Sequence, residues 1–237
     1  MLYGWRGKIG LITPAPGDST EAEFHKMVPE GVSVLTTRMS LEIATPEEEI
    51  KMVDYAVEAA SLLAQGKPDL IVFSCTAGSF IKGIGYDKEI INRIESRVSI
   101  PATTTSTAVI DALTALRVKR VAVATPYLDE VTQRERVFLE GSGFKITSIK
   151  GLGLRDPYMI ASVENKEMHS LVKEIFTEDA AAIFISCTGL RVTDIIETLE
   201  EELKRPVVTS NQATIWAALR RINVNDKIEG LGTLLRM

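Results

Sequence analysis

Val72-Phe73-Ser74-Cys75-Thr76 and Phe184-Ile185-Ser186-Cys187-Thr188 decide how this chain is to be read. Each is an apolar run ending in Ser-Cys-Thr, and the triplets stand 112 positions apart (187 − 75). The same offset joins Lys8-Ile9-Gly10-Leu11-Ile12-Thr13-Pro14 to Arg120-Val121-Ala122-Val123-Ala124-Thr125-Pro126. It also joins Gly31-Val32-Ser33-Val34 to Gly143-Phe144-Lys145-Ile146. Later, Pro101 and Ala108 pair with Pro206 and Ala213 at an offset of 105 (206 − 101), so one half has lost a few loop residues. Any α/β protein repeats strand–helix units loosely. Shared Thr-Pro and Ser-Cys-Thr segments at one spacing are more than that, and they mark a duplication.

Each half reads in the same order. A short apolar strand (9–13 or 121–125) precedes a helical stretch, clearest at Asp129–Leu139. A second strand (32–36 or 144–149) leads to a longer amphipathic helix. In the first half Thr45-Pro46-Glu47-Glu48 opens that helix, with Thr45 as N-cap, Pro46 at N1 and Glu48 at N3 of a capping box. Ile50, Val53, Val57, Ala60 and Leu63 then follow helical spacing up to Gly66-Lys67-Pro68. The second-half partner is predicted over Val163–Thr177. The strands Leu70–Ser74 and Ile183–Ser186 are continuously apolar, as parallel strands covered on both faces are. Short strands at 100–104 and 206–209, with helices near 106–116 and 211–221, complete the halves.

The predicted fold is therefore α/β, as two pseudo-symmetric flavodoxin-like halves. Each is a roughly four-stranded parallel sheet flanked by helices, with the active site in the cleft between the halves. The N-terminal half spans 1–116 and carries Cys75, and the C-terminal half spans 117–221 and carries Cys187. The tail 222–237 is expected to pack back on the first half.

Composition narrows the function classes. A formal net charge of −5 with no Lys/Arg cluster argues against nucleic acid as a partner. Met1–Lys8 holds aromatic and charged residues where a signal peptide needs an apolar stretch. No run approaches the roughly 18 apolar residues of a membrane span. Two cysteines make no disulfide framework, so free thiols and a cytoplasmic location are expected. The two histidines, His25 and His169, lie in no ligand-like cluster, and no metal or organic cofactor is expected. A homo-oligomer, dimer or higher, is the expected assembly.

Cys75 and Cys187 fall just past the C-terminal ends of equivalent buried strands, where open α/β sheets bind ligands. Thr76-Ala77-Gly78 and Thr188-Gly189 follow them, and each cysteine is expected to precede a helix. The dipole and free N–H groups of such a helix would lower the thiol pKa and could hold a substrate carboxylate. A single free cysteine is commonly buried packing. Two, and only two, in matched contexts point instead to chemistry. Thiols on opposite sides of a carbon can remove and deliver a proton, inverting a stereocentre. Alternatively, one adds to an activated double bond while the other protonates its neighbour.

Pro14 and Tyr127, at the ends of the other equivalent strands, are placed around the pair. Tyr127 is a hydrogen-bond donor for a developing enolate or carboxylate, or simply a turn aromatic. Asp18 and Ser19 follow a Pro/Gly-rich stretch that either lines the cleft or forms a plain turn. Arg38, ending the second strand, is a candidate partner for a carboxylate. Thr104-Thr105-Ser106-Thr107 reads first as a helix cap. Gly83-Ile84-Gly85-Tyr86 reads as a loop after the first cysteine, and Gly151-Leu152-Gly153 lacks the rest of a dinucleotide fingerprint.

The matched Ser-Cys-Thr loops, with Thr104–Val109 and Arg120–Tyr127, resemble the aspartate/glutamate racemase superfamily over nearly the whole chain. Within it the chain is most similar to the branch of maleate cis-trans isomerase and arylmalonate decarboxylase. The resemblance implies that Cys75 and Cys187 are catalytic. It further implies that Thr76, Ala77, Thr188 and Gly189 hold the carboxylate or enediolate, and that Pro14 and Tyr127 line the cleft. The decarboxylases of that branch have a glycine where this chain has Cys75, which favours an isomerase or racemase. Maleate isomerases carry Ser-Ser-Asn where this chain has Pro14-Ala15-Pro16-Gly17-Asp18-Ser19, which leaves the carboxylate open.

The leading expectation is a cofactor-independent isomerase of a small carboxylate or dicarboxylate. The alternatives are a decarboxylase protonating its product from Cys187, a small-molecule binding module, and a redox protein closing a Cys75–Cys187 disulfide. A gap wide enough for a substrate carbon argues against the last of these.

Overall fold

The computed structural model describes residues 3–237, so Met1 and Leu2, the first residues of the segment weighed above as a leader, lie outside it. The elements run β1 (Gly7–Pro14), α1 (Ser19–Met27), β2 (Val32–Met39), α2 (Pro46–Ala64), β3 (Leu70–Phe73), α3 (Thr76–Phe80), α4 (Tyr86–Val98), β4 (Ala102–Thr104) and α5 (Thr105–Ala115). The second series is β5 (Arg120–Tyr127), α6 (Asp129–Gly141), β6 (Lys145–Leu154), α7 (Pro157–Ala161), α8 (Asn165–Ile175), β7 (Ala182–Ile185), α9 (Ile196–Leu203), β8 (Val207–Thr209) and α10 (Ser210–Arg221). A 3-10 turn at Thr193–Ile195 precedes α9, and α11 (Gly232–Leu235) lies in the tail. No helix among the described residues is long and apolar enough to cross a membrane.

Two four-stranded parallel sheets form, ordered β2-β1-β3-β4 and β6-β5-β7-β8. The duplication extends to register. Leu11 pairs with Val72, and Val123 pairs with Phe184, each partner 112 positions further on (123 − 11, 184 − 72). β6 departs from its counterpart through irregularities between Val121/Ala122 and Thr125/Tyr127 of its β5 partner.

Alternation across the pleat explains the layers. Ile71 and Phe73 of β3 share a core with Met52, Val53 and Ala56 of α2, while Leu70 and Val72 face the other side. There they meet Ile215, Ala218 and Leu219 of α10, together with Phe24 and Met27 of α1. A helix that follows the second sheet in sequence thus covers the first. Val224, Leu231 and Leu235 of the tail join the same cluster. Each fully buried Leu or Ile there contributes about 1.5–3 kcal/mol relative to exposure.

Helix α2 corrects two expectations. Thr45 is its N-cap and Pro46 its N1 residue, but the Thr45 side chain makes no capping hydrogen bond. Glu48 pairs instead with Lys51, because both lie on the solvent side of the first turn. The buried stripe runs through Glu49, Met52, Val53, Ala56, Ala60 and Leu63, while Ile50 and Val57 sit at its half-exposed edge. Its phase is set by packing on the sheet, and that phase carries a glutamate inward.

The two series are sewn together by polar groups. Glu23 of α1 accepts from the amides of Val192 and Thr193, both at 3.0 Å, and from Asn211 Nδ2 at 2.7 Å. Asn211 Nδ2 and Thr20 Oγ1 both donate to the Thr188 carbonyl at 3.0 Å. Removing a buried acceptor leaves its donors desolvated and unpaired, at about 1–3 kcal/mol per orphaned group. Glu23→Ala is therefore expected to lower unfolding free energy by about 3 kcal/mol or more in a urea titration, with an unchanged slope. A loss below about 1 kcal/mol would show that the seam does not depend on Glu23.

Candidate active site

In each sheet the chain direction of strand addition reverses between the first and third strands of its series, and such points open a crevice at the carboxyl ends of the strands. β1 delivers Thr13 and Pro14, β3 delivers Cys75, β5 delivers Tyr127, and β7 delivers Cys187 to one shared cleft. Ala77, Thr188 and Gly189 also line it. The cleft encloses about 470 Å³ counted to its open mouth. Leu41, Ala44, Pro157 and Ile160 form an apolar wall, and Glu49 is the one carboxylate in the lining. No Lys, Arg or His contributes to it among the described residues. The amides of Thr76, Ala77 and Thr188 have no protein acceptor among the described residues; Ala77 and Thr188 line the cleft, whereas Thr76 is not in the lining and its hydroxyl donates to Ser210.

The symmetry breaks at the sulfurs. Cys75 is extended (φ −145°, ψ 121°) and caps α3, its Sγ accepting the Gly78 amide at 3.4 Å. The thiol donates to Glu49 Oε2 at 3.2 Å. Cys187 instead has φ 111°, a region an L-residue occupies only under constraint, at about 1–3 kcal/mol. Its amide donates to Ser210 Oγ at 3.0 Å, and the Gly189 amide donates to its Sγ at 3.3 Å. Tyr127 lies beside the same sulfur in the cleft lining.

Two expectations about the cysteines are overturned. Cys187 does not open a helix. After the strained Cys187 backbone, Thr188 and Gly189 stay in the cleft lining without forming a helix, and helical structure resumes only at Thr193. Nor are the thiols acidified. Burial pushes Cys187 up to about 12 and Cys75 well above the ordinary thiol value, with the neighbouring Glu49 charge adding to the rise at Cys75. One short helix and a few amides do not offset the loss of water around a thiolate. Burial also raises Tyr127 well above a free phenol.

Of the remaining expected positions, Asp18 is exposed at the start of α1, beside a lining that takes Gly17 and Thr20 instead. Ser19 is buried without a hydrogen-bond partner. Arg38 is engaged by the Ala15 and Gly17 carbonyls and by Glu21, so it braces the Pro14–Asp18 loop from outside. Thr104 caps α5 through the Thr107 amide at 3.2 Å. Gly83 and Gly85 take φ of 90° and 87° in the loop joining α3 to α4.

The sequence reading passed over Glu49, Glu135 and Ser210. Ser210 Oγ accepts from Thr76 Oγ1 at 2.9 Å as well as from Cys187, tying the two cysteine loops together. Glu135, 112 positions after Glu23 (135 − 23), is buried, accepts from Ser186 Oγ, and leaves Oε2 unpaired. Desolvation raises it to about 8 and Glu49 to about 7. The available signal was positional, since each glutamate occupies a place where helical periodicity demands an apolar residue.

A family model described as arylmalonate decarboxylase matches residues 9–235. The arylmalonate decarboxylase of Bordetella bronchiseptica is 30% identical over 214 residues, 90% of this chain and 89% of that protein. The crystal structure of the maleate isomerase Iso from Pseudomonas putida S16 superposes with a TM-score of 0.93 at 25% identity, covering 97% of this chain and 98% of that one. An arylmalonate decarboxylase variant in liganded form, with one glycine changed to cysteine and one cysteine to serine, superposes at 0.91 and 30% identity, covering 96% and 98%.

The positive φ at position 187 reverses the usual order of small residues. Cys187→Gly is expected to melt at or above Cys187→Ala, whereas at Cys75 the Gly variant should melt below the Ala variant. Equal ordering at both positions would refute the strain. Glu135 makes a second prediction. Its folded pKa lies above its unfolded value of about 4.5, so the folded state binds the extra proton and stability falls as pH rises from about 4.5 to 8. Glu135→Gln should flatten that fall, gaining stability at pH 8 relative to pH 4.5 in paired denaturant titrations.

Proposed function

This chain belongs to the arylmalonate decarboxylase family, and on that premise we propose that it is an isomerase of a small carboxylate working with two thiols. The observation that carries the reading is that Cys75 and Cys187, from equivalent strand ends, line one cleft. An arylmalonate decarboxylase variant carries an introduced cysteine in place of a glycine and a serine in place of a cysteine, whereas this chain has two free cysteines.

The substrate carboxylate takes the free amides of Ala77 and Thr188, with Pro14 and Gly189 shaping the space around it. Uncharged donors suit a group whose charge grows into an enediolate, because preorganised amides need no reorganisation as it forms. One cysteine then acts on the carbon next to the carboxylate, by removing its proton or by adding across an adjoining double bond. The other, held as a thiol by burial, delivers a proton from the opposite side, and Tyr127 stabilises the sulfur left behind. In the addition route, rotation about the new single bond and reversal of the steps release the geometric isomer and restore both thiols. In the proton-transfer route the inverted product leaves with the protonation states of the two sulfurs exchanged.

Decarboxylation of a substituted malonate is the second reading. It is favoured by the family match and by the apolar wall of Leu41, Ala44, Pro157 and Ile160, with Cys187 protonating the enediolate.

Incubation with maleate, amino-acid diacids and arylmalonates in deuterated water, followed by NMR, separates the two. Isomerised product, or deuterium entering next to a carboxylate, is expected, with a loss of at least about a hundredfold in both Cys75→Ser and Cys187→Ser. Carbon dioxide release that survives Cys75→Ser and fails in Cys187→Ser would replace the isomerase with the decarboxylase.

A further inference from the structure

Glu49 stands where the apolar stripe of α2 meets the cleft, only 2% exposed, and lines the cleft beside Cys75. Among the described residues its carboxylate has one hydrogen-bond partner, the Cys75 thiol at 3.2 Å. The approach depends on Gly78, since a Cβ there would come within 3.0 Å of Glu49 Oε2 and 2.6 Å of Met52 Cε. Cys187 has no counterpart to this contact. Its sulfur accepts from the Gly189 amide and, among the described residues, donates to no carboxylate.

We propose that Glu49 is the general base that takes the thiol proton of Cys75. The inference rests on the reading of the two cysteines as the reacting pair. The Sγ–H bond breaks as the sulfur lone pair forms its bond to a substrate carbon of a double bond, whose π electrons take up the Cys187 proton at the neighbouring carbon. The thiol proton moves to Glu49 Oε2, and when the substrate leaves Sγ the carboxyl returns it. No other reactant is needed. A buried carboxyl without a cation titrates near the pH at which a base is useful, and burial raises Glu49 to about 7.

The ionisable groups facing Glu49 are few. Cys75 is in contact from α3, and Cys187 and Tyr127 lie across the cleft on the loop after β7 and on β5. On α2 itself, Glu48 and Asp54 are paired outward with Lys51 and with Arg93 of α4. Arg155 and Asp156, ahead of α7, are exposed.

A carboxylate that merely sat beside a thiol would repel the thiolate and slow it. A base speeds it, so the two roles differ in sign. The test is alkylation of Cys75 by iodoacetamide in a Cys187→Ser background, followed by mass spectrometry from pH 5.5 to 9.5. The rate is expected to climb through a limb near pH 7. Glu49→Gln should abolish that limb and slow the reaction at pH 8 by at least about tenfold. A rate unchanged or faster in Glu49→Gln overturns the proposal. Should that variant fail to fold, the Glu49-bearing protein decides alone, and a single limb above pH 9 overturns it. Alkylation needs no substrate, so its outcome stands apart from that of the substrate screen.

Discussion

The Ser210 hydroxyl accepts from Thr76 Oγ1 and from the Cys187 amide, and this junction sets the distance between the two cysteine loops. It sits at the first residue of α10, whose apolar face is buried against β1 and β3 of the other sheet. The hydrogen bonds are therefore held in register by a core that neither half completes alone. One consequence is the strained backbone at Cys187. Its amide is directed to Ser210 and its sulfur to the cleft, and φ 111° meets both demands. Cys75, free of that demand on its own backbone, stays extended.

Electrostatics follow from the same burial. The cleft has no cationic side chain among the described residues, and the acids near it are held out of water. Desolvation is the largest cause of the upward shift at Cys75, Cys187, Tyr127, Glu49 and Glu135. The two thiols therefore rest with their protons on, while Glu49, raised only to about 7, can take one. Charge appears there only when another group can take or supply a proton, which suits chemistry in which protons move between side chains and a carbon acid.

Duplication preserved positions more faithfully than partners. Glu23 and Glu135 are equivalent, yet Glu23 holds two amides and an asparagine across the seam while Glu135 meets one serine and leaves an oxygen unpaired. Thr20 and Thr132 are likewise equivalent, one donating to the carbonyl of Thr188 and the other to that of Tyr127. Similar backbones thus carry unlike hydrogen-bond networks, and the two cysteines inherit unlike neighbours.

By itself the sequence determined the two sheets, their parallel strands and the placement of Cys75 and Cys187 at equivalent strand ends. Repeated apolar runs and identical triplets are local signals, and strand periodicity turns them into layers without knowledge of contacts. Only the tertiary structure decided what surrounds the sulfurs. Glu49 reads as one of four acids in Glu42–Glu49; its spacing to Met52, Val53 and Ala56 is a local hint, but the phase of α2 that turns it inward is set by packing on the sheet. The exchange of α10 onto the first sheet, the positive φ at Cys187 and the protonated thiols have the same origin. Each depends on which surfaces exclude water together, and that is a property of the assembled chain rather than of any segment of it.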